Sequence, residues 1–176
     1  MCVGVGIMCH TSYMENFVKE FYTKLDILEP HQLDYKEISY KLGIKIFYWY
    51  EPSQALFLKQ HSYIFLNAHL SKVQKWQDFC HELGHVLLHA GNQRRLSAEF
   101  VKYQEAKANL FMYHACVPSF MLDQLEINDY TSETINLVAG LFCVEGPFAA
   151  RRLEQYINNK LHRMCEFKSS NQYEIS

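Results

Sequence analysis

The chain has 176 residues, 49% of them hydrophobic and 15% aromatic, enough for one core or one core with a small appendage. Seventeen Lys and Arg against 19 Asp and Glu leave a net charge of -2, which lacks the basic face that a general nucleic-acid binder needs. The cysteines at 2, 9, 80, 116, 143 and 165 form no C-x-x-C pair and mostly fall inside predicted helices, the usage of a reduced, cytoplasmic protein.

Residues 1–8 are apolar but lack the basic start and cleavage pattern of a signal peptide, and no stretch reaches the length of a membrane span. Residues 1–13 are therefore expected to be a disordered leader. From Met14 onward Phe17, Val18, Phe21, Tyr22, Leu25 and Leu28 recur at helical spacing, and Pro30 stops that helix. A second helix is expected over 34–42, with Gly43 as its stop. The period then changes. Runs at 44–50, 55–59 and 63–67 are rich in Ile, Phe, Tyr and Trp and separated by turn residues, which predicts three strands of a small antiparallel meander.

Residues 71–91 predict a helix that opens on a capping box, Ser71 with Gln74, and closes at Gly91. At about 100° per residue, Val73, Trp76, Phe79, Cys80, Leu83, Val86, Leu87 and Ala90 form one apolar stripe. Asp78, His81, Glu82, His85 and His89 cluster on another face. His81-Glu82-Leu83-Gly84-His85 is an H-E-x-x-H sequence, which brings two imidazoles one turn apart to a single ion and leaves a carboxylate beside its water. Nine histidines make a chance match conceivable, but core histidines would lie beside the apolar stripe, and these do not. Cys80 adjoins the motif and turns into the stripe as a small buried hydrophobe.

A hydrolytic zinc site needs a third protein ligand. His89 lies two turns from His81 on the same helix, so its ring runs parallel to the first and does not converge with it. Glu105, on a second predicted helix over 99–116, is the better donor, and Asn109 one turn on is placed to support a ligand's free ring nitrogen. For the oxyanion, His89, Tyr103 and His114 are the candidates. Beyond Pro118, helices over 131–142 and 147–162 flank a break at 143–146 in the manner of a helix-turn-helix. Arg151 and Arg152 are its possible phosphate contacts, but Glu145, Glu154 and the missing basic stripe favour a hairpin packed on the core, so direct nucleic-acid binding is not expected. Residues 168–176 read as a frayed tail.

The run His81-Glu82-Leu83-Gly84-His85-Val86-Leu87-Leu88-His89, then Glu105-Ala106-Lys107-Ala108-Asn109-Leu110-Phe111 and Val117-Pro118, resembles the ImmA/IrrE family of bacterial and phage metallopeptidases. The resemblance spans about residues 30–155. It departs at Lys107, where many members carry a second Glu, and at Met112, where they carry a small residue. It implies Zn²⁺ bound by His81, His85 and Glu105, with Glu82 as general base. The fold it implies is α+β and mainly helical: a minimal thermolysin-like zincin core over 14–118, with a small antiparallel sheet and a C-terminal helical, HTH-like segment over 119–167 packed on it. By analogy one strand, placed at 63–67, pairs with extended substrate beside the metal. The implied function is a cytoplasmic zinc endopeptidase that cuts a helix-turn-helix repressor of a prophage or mobile element. The alternatives are a zinc-containing anti-repressor that sequesters without cutting, and a DNA-binding regulator.

Overall fold

Local capping signals set most element boundaries in the computed structural model, which describes residues 8–58, 61–88, 97–127 and 129–172. The order is α1 (Met8–Lys24), α2 (Tyr35–Leu42), β1 (Lys45–Trp49), β2 (Gln54–Leu58), β3 (His61–Asn67), α3 (Lys72–Leu88), α4 (Ala98–Cys116), α5 (Ser119–Asp123), α6 (Ser132–Leu141) and α7 (Gly146–Gln172), with a 3-10 turn at Pro30–Gln32. α1 begins at Met8 rather than Met14, so residues 8–13 are helical where a leader was expected. Its end precedes Pro30: Asp26 takes a left-handed φ of 55° and the Ile27 N–H bonds back to Tyr22 O at 3.0 Å. Asp34 caps α2 by accepting from the Lys36 and Glu37 amides, and Gly43, at φ 66°, closes it in a conformation that costs other residues strain. α7 continues to Gln172, through residues expected as tail.

The sheet departs from the expected meander. Its order is β1-β3-β2, with β1 parallel to β3 and β2 antiparallel to it. The physical reason lies in the connector. Residues 50–53 can span the roughly 10 Å of two strand spacings, so the chain skips one position and β3 returns to fill it. Ser53 pins that crossing: its Oγ accepts from the Asn67 N–H at 3.1 Å and donates to Asp78 Oδ2 at 2.6 Å. The central strand accordingly carries the sheet's fully buried side chains, Ile64 and Leu66. The expectation that residues 63–67 form a substrate-facing edge is thus corrected, because β1 pairs along all of them and β2 covers the other side through Phe65.

One apolar core runs from α1 to α7 and includes Tyr22, Phe79, Leu83, Phe111, Phe142 and Tyr156. Tyr22 Oη donates to the Ala115 carbonyl at 2.8 Å, fastening α1 to α4. The thiols of Cys80 and Cys116 meet between α3 and α4, and burial pushes the Cys80 thiol well up, keeping it protonated. The C-terminal hairpin joins the core through Val138, Phe142, Leu153 and Tyr156. Arg152 is buried with them: its Nε donates to Val117 O at 3.1 Å, and its Nη2 reaches Ser119 Oγ at 2.6 Å and His114 Nδ1 at 3.2 Å. Ser119 passes the chain of bonds to Glu15 on α1 at 2.8 Å. Arg152 therefore braces the interior and does not face phosphate, while Arg151 lies over the Tyr113 ring at 5.1 Å. Among the described residues no helix is long and apolar enough to cross a membrane.

Burial, with the Arg152 charge adding to it, pushes the His114 imidazole down to about 2. The folded protein keeps this ring neutral, whereas the unfolded chain protonates it near pH 6.5. Since the unfolded state binds the extra proton, stability is lost as pH falls below about 6.5, by roughly 1.4 kcal/mol per pH unit from this group down to its folded value. His114→Asn keeps an acceptor for Arg152 and removes the titration. Urea unfolding between pH 6 and 4.5 is expected to show a slope shallower by about 1 kcal/mol per unit in the variant.

Candidate metal centre

The site is made by the crossing of α3 and α4. Ser71 and Gln74 form the predicted capping box, with reciprocal amide bonds of 3.2 and 3.1 Å, and so fix where α3 starts and which way its faces turn. Ser97 caps α4 by accepting from the Phe100 amide at 3.3 Å. The helices touch at Gly84. A Cβ there would lie 3.1 Å from Ala108 Cα and 3.2 Å from Phe111 Cδ1, closer than ordinary packing permits. A side chain at this position would press on the Ala108 backbone and the Phe111 ring, and the close approach carries Glu105 to the histidines.

His81 Nε2 and His85 Nε2 lie 3.2 Å apart, and each faces one Glu105 oxygen, at 3.2 and 3.4 Å. All three donors fall within 4.8 Å of one another. Donors bound tetrahedrally to zinc at about 2.0–2.1 Å sit about 3.3 Å apart, so both the spacing and the nitrogen and oxygen chemistry of this set fit such an ion. Two imidazole nitrogens turned toward each other and toward one carboxylate are otherwise a poor arrangement, because each ring nitrogen needs a complementary partner.

Glu82 is buried beside this group. Burial pushes its carboxyl up, the Ala55 N–H opposes this by donating to it, and the negative charges of Glu105 and Asp78 push it further up; the result is about 7. A carboxylate poised there is matched to taking and returning a proton near neutral pH. The bond from Ala55 also reveals which strand borders the site. β2 is an edge strand, Ala55 turns its N–H away from β3, and strand alternation turns the backbone of Phe57 the same way. A cleft of about 460 Å³ opens beside Glu82, walled by Ser53, Asn67, Asp78, His81, Asn109 and Met112.

The structure brings His81, Glu82, His85 and Glu105 together. His89 lies outside the described residues. Asn109 donates its amide to the Glu105 backbone carbonyl at 2.9 Å and supports no ring nitrogen, which corrects the expected role: it steadies the helix turn that bears the carboxylate. Neither remaining oxyanion candidate walls the cleft. His114 is held inside by Arg152, and Tyr103 stands half-exposed against Phe100 and Lys107. Lys107, the first departure from the family pattern, lies 4.8 Å from the Tyr103 ring, and Met112, the second, fills part of the cleft wall. Sequence reasoning missed Ala55 and Ser53. Both sit in stretches read as strand and turn, and no local signal could have tied them to α3.

The geometry is that of a metallopeptidase, with a convergent His-His-Glu donor set and a buried glutamate next to it. The peptidase M78 model, described as an IrrE N-terminal-like domain, matches residues 41–154, and the chain belongs to this family. It is 38% identical over 153 residues to the phage-like element PBSX protein XkdA of Bacillus subtilis (strain 168), covering 86% of this chain and 76% of the relative. It is also similar to the uncharacterized protein YqaB of the same strain, at 34% over 148 residues, 82% of this chain and 84% of the relative.

Overpacking the helix crossing has a calculable effect. Gly84→Ala is expected to cost about 1 kcal/mol and Gly84→Val about 3 kcal/mol, since methyl groups pressed into a filled contact displace backbone. Chemical denaturation measures the loss. Metal titration of the Val variant should show weaker binding than the Ala variant, because the separated helices move Glu105 from the histidines.

Proposed function

We propose that this protein is a zinc-dependent endopeptidase of gluzincin type that makes a single cut in a helix-turn-helix repressor of a prophage or mobile element. The observation that carries the reading is the juxtaposition of the His81, His85 and Glu105 donors with a buried Glu82 at the free edge of β2. His81, His85 and Glu105 hold the ion, which when bound supplies an acidified water and polarises the peptide carbonyl. Glu82 takes the proton of the attacking water and hands it to the leaving amine. An extended segment of the partner pairs with the Ala55 carbonyl and the outward backbone groups of Phe57, which hold it in register whatever its side chains. The name of the PBSX relative supports a setting on a phage-like element. A sequestering anti-repressor has no use for a base, and a DNA reader is disfavoured by the burial of Arg152.

Purified protein is expected to carry about one zinc per chain. Ala at His81, His85 or Glu105 should empty the site, as read by elemental analysis; full occupancy in Glu105→Ala would overturn the ligand set.

Glu82→Gln separates binding from chemistry. Co-expressed with a helix-turn-helix repressor encoded beside it, wild type should yield two fragments of that partner, identified by mass spectrometry. The variant should retain zinc and fold while cutting at least 10²-fold more slowly. Equal relief of repression by wild type and variant would show sequestration instead.

A further inference from the structure

The cleft beside Glu82 has a charge pattern that the peptidase chemistry does not use. Asp78 stands one turn before Glu82 on α3, and residues four apart share a helix face, so its carboxylate walls the cleft next to the reacting atoms. Its hydrogen bond comes from Ser53 Oγ, a neutral donor, at 2.6 Å. Among the described residues no Lys or Arg walls the cleft. The nearest basic side chain along the helix, Lys75, is spent on the carbonyls of Ala68 and Leu70. With a divalent ion in place, its two positive charges balance Glu82 and Glu105, and Asp78 remains as the surplus negative charge.

We infer that Asp78 is a specificity-determining residue, and that the cleft receives a lysine or arginine side chain from the residue whose nitrogen leaves when the peptide bond is cut. The inference rests on the peptidase reading and names its substrate class. Glu82 hands its proton to the leaving nitrogen, so the residue bearing that nitrogen lies beside Glu82, and its side chain projects along α3 toward Asp78. A cleft of about 460 Å³ accommodates a long aliphatic stem, which Met112 and Pro52 contact, with the cationic head at the carboxylate. A charge-assisted bond there rewards a guanidinium or ammonium, and a neutral side chain leaves Asp78 with its serine alone. The cut is therefore placed immediately before a basic residue.

The test uses the full-length, zinc-loaded protein and two product-like probes, arginine amide and citrulline amide, which share length and shape but differ in charge. Calorimetry or amide shifts should show arginine amide binding at least tenfold more tightly than citrulline amide. Asp78→Asn should erase that ratio, whereas Ser53→Ala, which leaves the carboxylate in place, should preserve it. Equal binding of the two amides by wild type would overturn the inference, as would failure to bind either one or a ratio that survives Asp78→Asn. Failure of the peptidase reading looks different: a protein that discriminates the amides but does not cut its partner retains this cationic subsite and loses the catalytic assignment.

Discussion

Everything at the site depends on how closely α3 can approach α4. At the crossing the side chain of residue 84 is a hydrogen, and Ala108 Cα lies 3.1 Å from where a methyl group would sit. That contact sets the distance between two helices that would otherwise be held apart by side chains, and it places a carboxylate from one within about a tetrahedral edge of two imidazoles from the other. The apolar stripe of α3 cannot do this alone, because Phe79 and Leu83 only choose which face turns inward. The three side chains acquire a common point because the backbones meet where they do.

A second consequence concerns the face on which His85 and Glu82 lie. Helical spacing separates them from the apolar stripe, and such a face is usually solvated. Here α4 on one side and the β2 edge on the other enclose it, leaving His85 and Glu82 each only 7% exposed. Burial pushes the Glu82 carboxyl up, since removal from water disfavours its ionised form, and the Ala55 amide offsets part of that. The Ala55 amide that holds Glu82 belongs to β2, so the glutamate is fixed against the edge strand of the sheet.

The C-terminal hairpin is bound into the same body. Arg152 links α7 to the end of α4 and, through Ser119, to α1, so the helix bearing Glu105 is braced at its far end by a buried charged network. Such networks are costly to break because each partner is left desolvated. A helix-turn-helix outline is therefore compatible with a purely internal role, and the apparent double arginine divides into one residue inside and one lying on Tyr113.

Local chemistry made much of this legible from the residues alone. The ends of α2, the start of α3 and the end of α4 follow from Asp34, Gly43, the Ser71 and Gln74 box and the run up to Cys116, because capping is settled within a few positions, while the expected stop at Gly91 lies outside the described residues. The grouping of His81, His85 and Glu105 was likewise legible, since the two histidines lie one helix turn apart and a metal group of this kind needs a third donor. What the tertiary structure alone decided are pairings between segments far apart. The insertion of β3 between β1 and β2 depends on how a four-residue connector crosses space, and alternation of residue types is the same in a meander. The roles of Ala55, Ser53 and Asp78 depend on which strand edge faces α3. Asn109 turned to its own helix and His114 to Arg152 because the nearest partner in the fold, unlike the nearest motif in the chain, takes the hydrogen bond.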